Sequence, residues 1–91
     1  MVEIVLYGPF REAVGRKTVD HRMDDESTVD ELFRSLSEAY PSVEPHLLRD
    51  GTLRESINVM KNGRNVRLLD GGETMVEDGD RLTVTVSLEG G

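Results

Sequence analysis

Apolar and polar residues alternate strictly at the start of the chain, where Val2, Ile4 and Leu6 share one parity within the β-rich run Val2 to Tyr7. This spacing predicts a first strand with one buried face. Gly8-Pro9 breaks it, and residues 10–15 read as a connection to a second strand over about 16–23, in which Val19, His21 and Met23 share a parity. The pair predicts a hairpin. The period then changes. Val29, Leu32, Phe33, Leu36 and Tyr40 follow the i, i+3, i+4, i+7, i+11 spacing of one helical stripe. Thr28-Val29-Asp30-Glu31 fits a capping box at its start, and Pro41 ends the run. Residues 42–56, with Pro45 and Gly51, read as a loop with one turn of helix at most.

Alternation returns at Ile57 to Lys61. Asn62-Gly63, the strongest hairpin signal in the chain, leads into a strand over 64–69. Asp70-Gly71-Gly72 and Asp78-Gly79-Asp80 punctuate the next segment. Leu82, Val84, Val86 and Leu88 then face one way and Thr83, Thr85 and Ser87 the other. The order ββαββ predicts an α+β domain over 1–88, a mixed four- to five-stranded sheet packed on one main helix, followed by a tail at 89–91. A lone helix covers one side of a sheet, so the other side meets water or a partner. If the first and last strands are neighbours, the open side carries Val5, Tyr7, Thr83 and Thr85, with Met60 nearby. An apolar group outside the core marks a partner site, here Val5, Tyr7 and Met60, and Leu88, the last inward residue before the tail, is expected to join in partner binding.

Composition narrows the function. Ninety-one residues support one small core and no cleft between lobes. With 18 acidic against 11 basic residues, the net charge of −7 repels phosphate backbones, which argues against nucleic acid and for neutral or basic partners. Two lysines, Lys17 and Lys61, stand among the basic residues, and an acid-rich, lysine-poor surface suits concentrated salt as well as an acidic mesophilic domain. No apolar run is long enough for a membrane span or an export signal, so a cytoplasmic address is expected. There is no cysteine, so disulfides, thiolate metal sites and side-chain persulfides are excluded. His21 and His46 lie far apart without acidic neighbours at ligand spacing, so neither a metal nor an acid–base role is expected. Asp24-Asp25-Glu26 reads as a solvated turn.

Gly90-Gly91 closes the sequence. Two residues without Cβ make a thin, permissive tail that can be threaded into a narrow channel; a frayed terminus is the other reading. Taken in order, Tyr7-Gly8-Pro9-Phe10-Arg11-Glu12-Ala13-Val14-Gly15, the Thr28-capped helix, Ile57-Asn58-Val59-Met60-Lys61-Asn62-Gly63, Asp78-Gly79-Asp80 and the terminal Gly90-Gly91 resemble the ubiquitin-like sulfur carriers. Within that group the likeness is greatest to molybdopterin-synthase small subunits and small archaeal ubiquitin-like modifier proteins.

The resemblance implies a β-grasp fold and a protein that is not itself an enzyme. It implies that Gly91 is adenylated by a ubiquitin-activating-like enzyme using ATP, with no cofactor bound by the chain itself. Attack by a target lysine then gives an isopeptide bond, whereas sulfide transfer gives a thiocarboxylate. The corresponding partners are target-protein lysines, the molybdopterin synthase large subunit, or a tRNA-thiolation pathway. A plain interaction module with an accidental diglycine is the third reading. Molybdopterin-synthase small subunits usually carry a Pro-Pro-Val type segment before the diglycine. Here Val86-Ser87-Leu88-Glu89 stands in that place, which favours the modifier. The free protein is expected to be a monomer. If it conjugates to itself, Lys61 is the expected acceptor, because it precedes a turn and should be exposed, and Lys17 is second.

Overall fold

The computed structural model describes residues 1–23 and 25–86. Nine strands and three helices follow in chain order. They are β1 (Val2–Leu6), α1 (Gly8–Val14), β2 (Thr18–His21), β3 (Ser27–Thr28), α2 (Val29–Ala39), α3 (Glu44–Leu47), β4 (Leu48–Arg49), β5 (Thr52–Leu53), β6 (Ile57–Lys61), β7 (Arg64–Asn65), β8 (Met75–Val76) and β9 (Arg81–Val86).

The main sheet has the order β2-β1-β9-β6-β7. Its central pair, β1 and β9, is parallel and every other pair is antiparallel, so the sheet is mixed, as expected. Two-residue pairings of β3 with β8 and of β4 with β5 tie the loops together.

The helical stripe forms α2 as the spacing requires. Thr28 caps it: its hydroxyl accepts from the Glu31 N–H at 3.2 Å, while the Glu31 carboxylate accepts from the Thr28 N–H at 3.1 Å. Val29, Leu32, Phe33 and Leu36 enter a core shared with Val2, Ile4, Leu6, Val59, Leu82 and Val84. Asp30, in the first turn of the helix, accepts a 2.8 Å bond from the Leu53 N–H and holds the β4–β5 hairpin against the helix start.

Three differences from the sequence expectation stand out. Residues 10–14 are not a plain connection but part of α1. Pro9 occupies its first turn, where no N–H partner is needed, Phe10 anchors it at 1% exposure, and Gly15 ends it in the left-handed region at φ 84°. Residues 44–47 form α3, the one turn of helix expected in that stretch, but the rest is no plain loop, since β4 and β5 pair within it. The strand expected over 64–69 stops at Asn65, whose side chain accepts from the Arg67 N–H and starts a tight 3-10 turn over Val66–Leu68. The Asn62-Gly63 turn forms as expected, with both residues at positive φ, the requirement of the hairpin turn that matches strand twist.

No helix among the described residues is long and apolar enough to cross a membrane.

Candidate functional site

The side of the sheet away from α2 is open, and strand register fixes what it presents. Val5 pairs with Thr83 on β9 and Thr83 with Met60 on β6; Thr18 and Asn65 extend the row to both edges. Thr85 lies on the same face beside Asn58, and Tyr7 follows β1 at 42% exposure. The centre of the face is therefore apolar or hydroxylic, with Val5, Met60, Thr83 and Thr85 each half-buried.

Charge is confined to its ends. At one end Glu3 pairs with Arg81, with Asp20 opposite Glu3 on β2. At the other the Lys17 amine lies over the Tyr7 ring, 5.5 Å from its centre, a cation–π contact. Sequence parity located Val5, Tyr7 and Met60 on this face; it did not name Thr18 and Asn65, whose places depend on edge-strand register.

Lys61 is not the unhindered amine expected. It shares the core-facing parity of Ile57 and Val59. Its amine donates to the Met75 carbonyl at 2.7 Å and lies 3.7 Å from Asp80. Asp80 is the hub of that corner, accepting from Asn62 at 2.9 Å and from the Glu77 N–H at 2.8 Å. Burial raises the Asp80 pKa, but these hydrogen bonds and the Lys61 charge outweigh it and hold the carboxyl below its ordinary value. Lys17 is the exposed lysine of the two.

His21 lies on the covered parity of edge strand β2, and partial burial lowers its pKa. His46 is exposed, with its ring edge-on to Phe10 at 6.5 Å. Among the described residues no group of three or more histidine, aspartate or glutamate side chains is placed to hold a metal ion. Leu88, Gly90 and Gly91 lie outside the described residues.

Among the described residues the open face is thus uncharged at its centre, with charge at its ends.

Comparison with known proteins places this arrangement. A small archaeal modifier protein 3 from Haloferax volcanii is 40% identical over 90 residues, spanning 99% of this chain and 98% of that protein. Among solved structures, SAMP1 from the same organism superposes with a TM-score of 0.82 at 28% identity, covering 99% of this chain and 98% of that one. A chain of the BexX/CysO complex from Amycolatopsis orientalis superposes with a TM-score of 0.83 at 28% identity over the full length of both. The ThiS family model matches residues 4–91, from the first strand through the diglycine. With the open-faced mixed sheet and its capped helix, this shows that the chain belongs to the ThiS family and has the ubiquitin-like β-grasp fold.

Proposed function

We propose that this protein is a ubiquitin-like modifier whose Gly91 carboxylate is adenylated by an ATP-dependent activating enzyme and then joined to lysines of target proteins. One observation carries the reading: the 40% identity to a small archaeal modifier protein runs over nearly the whole of both chains. The chemistry is consistent with the sequence. A carboxylate is a poor electrophile at neutral pH; adenylation releases pyrophosphate and supplies AMP as a leaving group. A lysine amine then forms the amide bond as AMP departs. The open face around Val5, Tyr7 and Met60 is the docking surface for that enzyme. Its half-buried apolar centre can be desolvated at low cost, and its charged ends can set orientation.

A second reading is favoured by the family match itself and by the likeness to a chain of a CysO complex. In it the same adenylate is attacked by sulfide to give a thiocarboxylate, and the chain serves as a sulfur carrier. Since the chain has no cysteine, sulfur could be held only at its terminus. Both readings share the first step, and one cell can use both.

Intact-mass analysis of the protein from its native cells separates them. A mass gain equal to exchanging one oxygen for sulfur identifies the carrier, whereas Gly-Gly remnants on lysines of other proteins identify the modifier. For the shared step, removing Gly90-Gly91 draws the carboxyl back by about 7 Å of extended chain and should abolish pyrophosphate exchange with the activating enzyme. A truncated protein that still supports exchange would end both readings.

A further inference from the structure

The two edges of the main sheet are finished differently. At the β7 edge the chain turns away after Asn65. The Arg67 guanidinium then donates to the Ile57 carbonyl at 3.0 Å and to the Glu55 carbonyl, so the side of β6 beyond β7 is occupied. β2, the other edge, pairs with β1 alone. The Leu6 N–H donates to the Lys17 carbonyl at 2.6 Å, and bonded pairs alternate along an antiparallel ladder. Ile4 with Val19 and Val2 with His21 are therefore the bonded pairs, and the N–H and C=O groups of Thr18 and Asp20 point away from β1. Among the described residues nothing pairs with those groups.

We propose that β2 accepts an extended acidic segment of another protein as an added strand of the main sheet. The backbone of Thr18 and Asp20 supplies the hydrogen bonds, and the side chains around them supply the preference. Charge selects the occupant. Arg16, Lys17 and Arg22 are exposed and flank the strand, with Asp20 the one carboxylate among residues 16–22, in a chain of net charge −7. The Debye length is about 8 Å at physiological salt, so a segment lying on this edge responds to these cations more than to the net charge of the whole chain. A second copy pairing edge to edge would set the same cationic stretch against itself, the device by which edge strands avoid their own kind. The pairing rests on strand order and register, not on the function proposed above.

Isotope-labelled full-length protein tests this by NMR with a capped heptapeptide of alternating glutamate and valine, in about 0.15 M salt. At saturation the Thr18 and Asp20 amides should exchange with solvent at least about tenfold more slowly and show cross-peaks to the peptide backbone. The same peptide with every amide N-methylated keeps its charge, loses its donors and should not bind. A peptide with lysine in place of glutamate should bind at least about tenfold more weakly, as should the glutamate peptide to an Arg16→Glu, Arg22→Glu variant, whose changes are confined to exposed side chains. Absence of binding by the glutamate peptide, equal binding by the lysine peptide, or protection centred on β7 would overturn the proposal. A dimer that protects Thr18 and Asp20 in the protein alone would assign the edge to a second copy and overturn it as well.

Discussion

Two rows of side chains cross the same three strands one residue apart, and their fates differ completely. Leu6, Val84 and Val59 pair across β1, β9 and β6 and are 1% exposed or less. Val5, Thr83 and Met60, the row beside them, are half-exposed on the opposite face. Backbone hydrogen bonding is shared by both rows, so the difference lies in what each faces. One row meets α2 and fixes the fold. The other packs under no helix and is left to solvent. Strand alternation alone thus separates the packed face of the sheet from the open one.

The largest expected effect breaks the first row. Val59→Asp places a carboxylate in the apolar core with no partner and should cost about 4 kcal/mol or more, enough to unfold much of a small domain; urea denaturation reads it. Met60→Asp, one residue on, should change stability by less than about 1 kcal/mol. In an adenylation assay, however, it should lower kcat/KM at least about tenfold, as should Val5→Asp. Equal stability losses at positions 59 and 60 would erase the distinction between the faces. Unchanged adenylation in both open-face variants would move the docking surface elsewhere.

A smaller effect tests how the covered side is locked. A Cβ at Gly72 would come within 2.3 Å of the Asp30 carboxylate that holds the Leu53 N–H. Gly72→Ala should therefore cost about 1–2 kcal/mol by displacing that acceptor. The cost should shrink in an Asp30→Ala background, where the obstacle is gone.

The smallest effect is a pH dependence confined to the covered side and its edges. His21 has a folded pKa below its ordinary value of 6.5, because burial disfavours the charged ring. Its contribution is complete above that value and is lost as pH falls toward the folded pKa, since the unfolded chain then binds the extra proton. Glu31, held below its ordinary value of 4.5 first by the Thr28 N–H, and Asp80, below 3.8, add losses of the same sign only in stronger acid. Melting temperatures between about pH 7 and pH 5 should fall less in His21→Gln than in the parent protein.

Parity was legible because it needs no long-range information. Val2, Ile4, Leu6 and the last strand announced both faces of the sheet, and the capping box announced α2. Parity also held the clue to Lys61, which continues Ile57 and Val59 onto the covered side; its place before a tight turn suggested exposure and concealed this. α1 went unread because it is two turns long and begins with Gly8-Pro9, the same pair that marks a break. Its other signals, Pro9 in the first turn and Gly15 after the end, gain meaning only once Phe10 is known to reach the core. The pairings of β3 with β8 and of β4 with β5 are two residues each and leave no periodic trace.

The central parallel pair has a consequence for how the protein is made. β1 lies against β9, and the Glu3–Arg81 contact spans 78 residues of sequence. A ribosome delivers β1 well before β9, so the middle of the sheet is vacant until Arg81–Val86 has emerged. The chain between them must then close over that separation, a slow step for contacts this distant. A chain stopped anywhere before Arg81 lacks the strand that joins the two halves of the sheet, and so fails to assemble the face presented by Val5, Thr83 and Met60. The topology makes the open face a check on translation through β9.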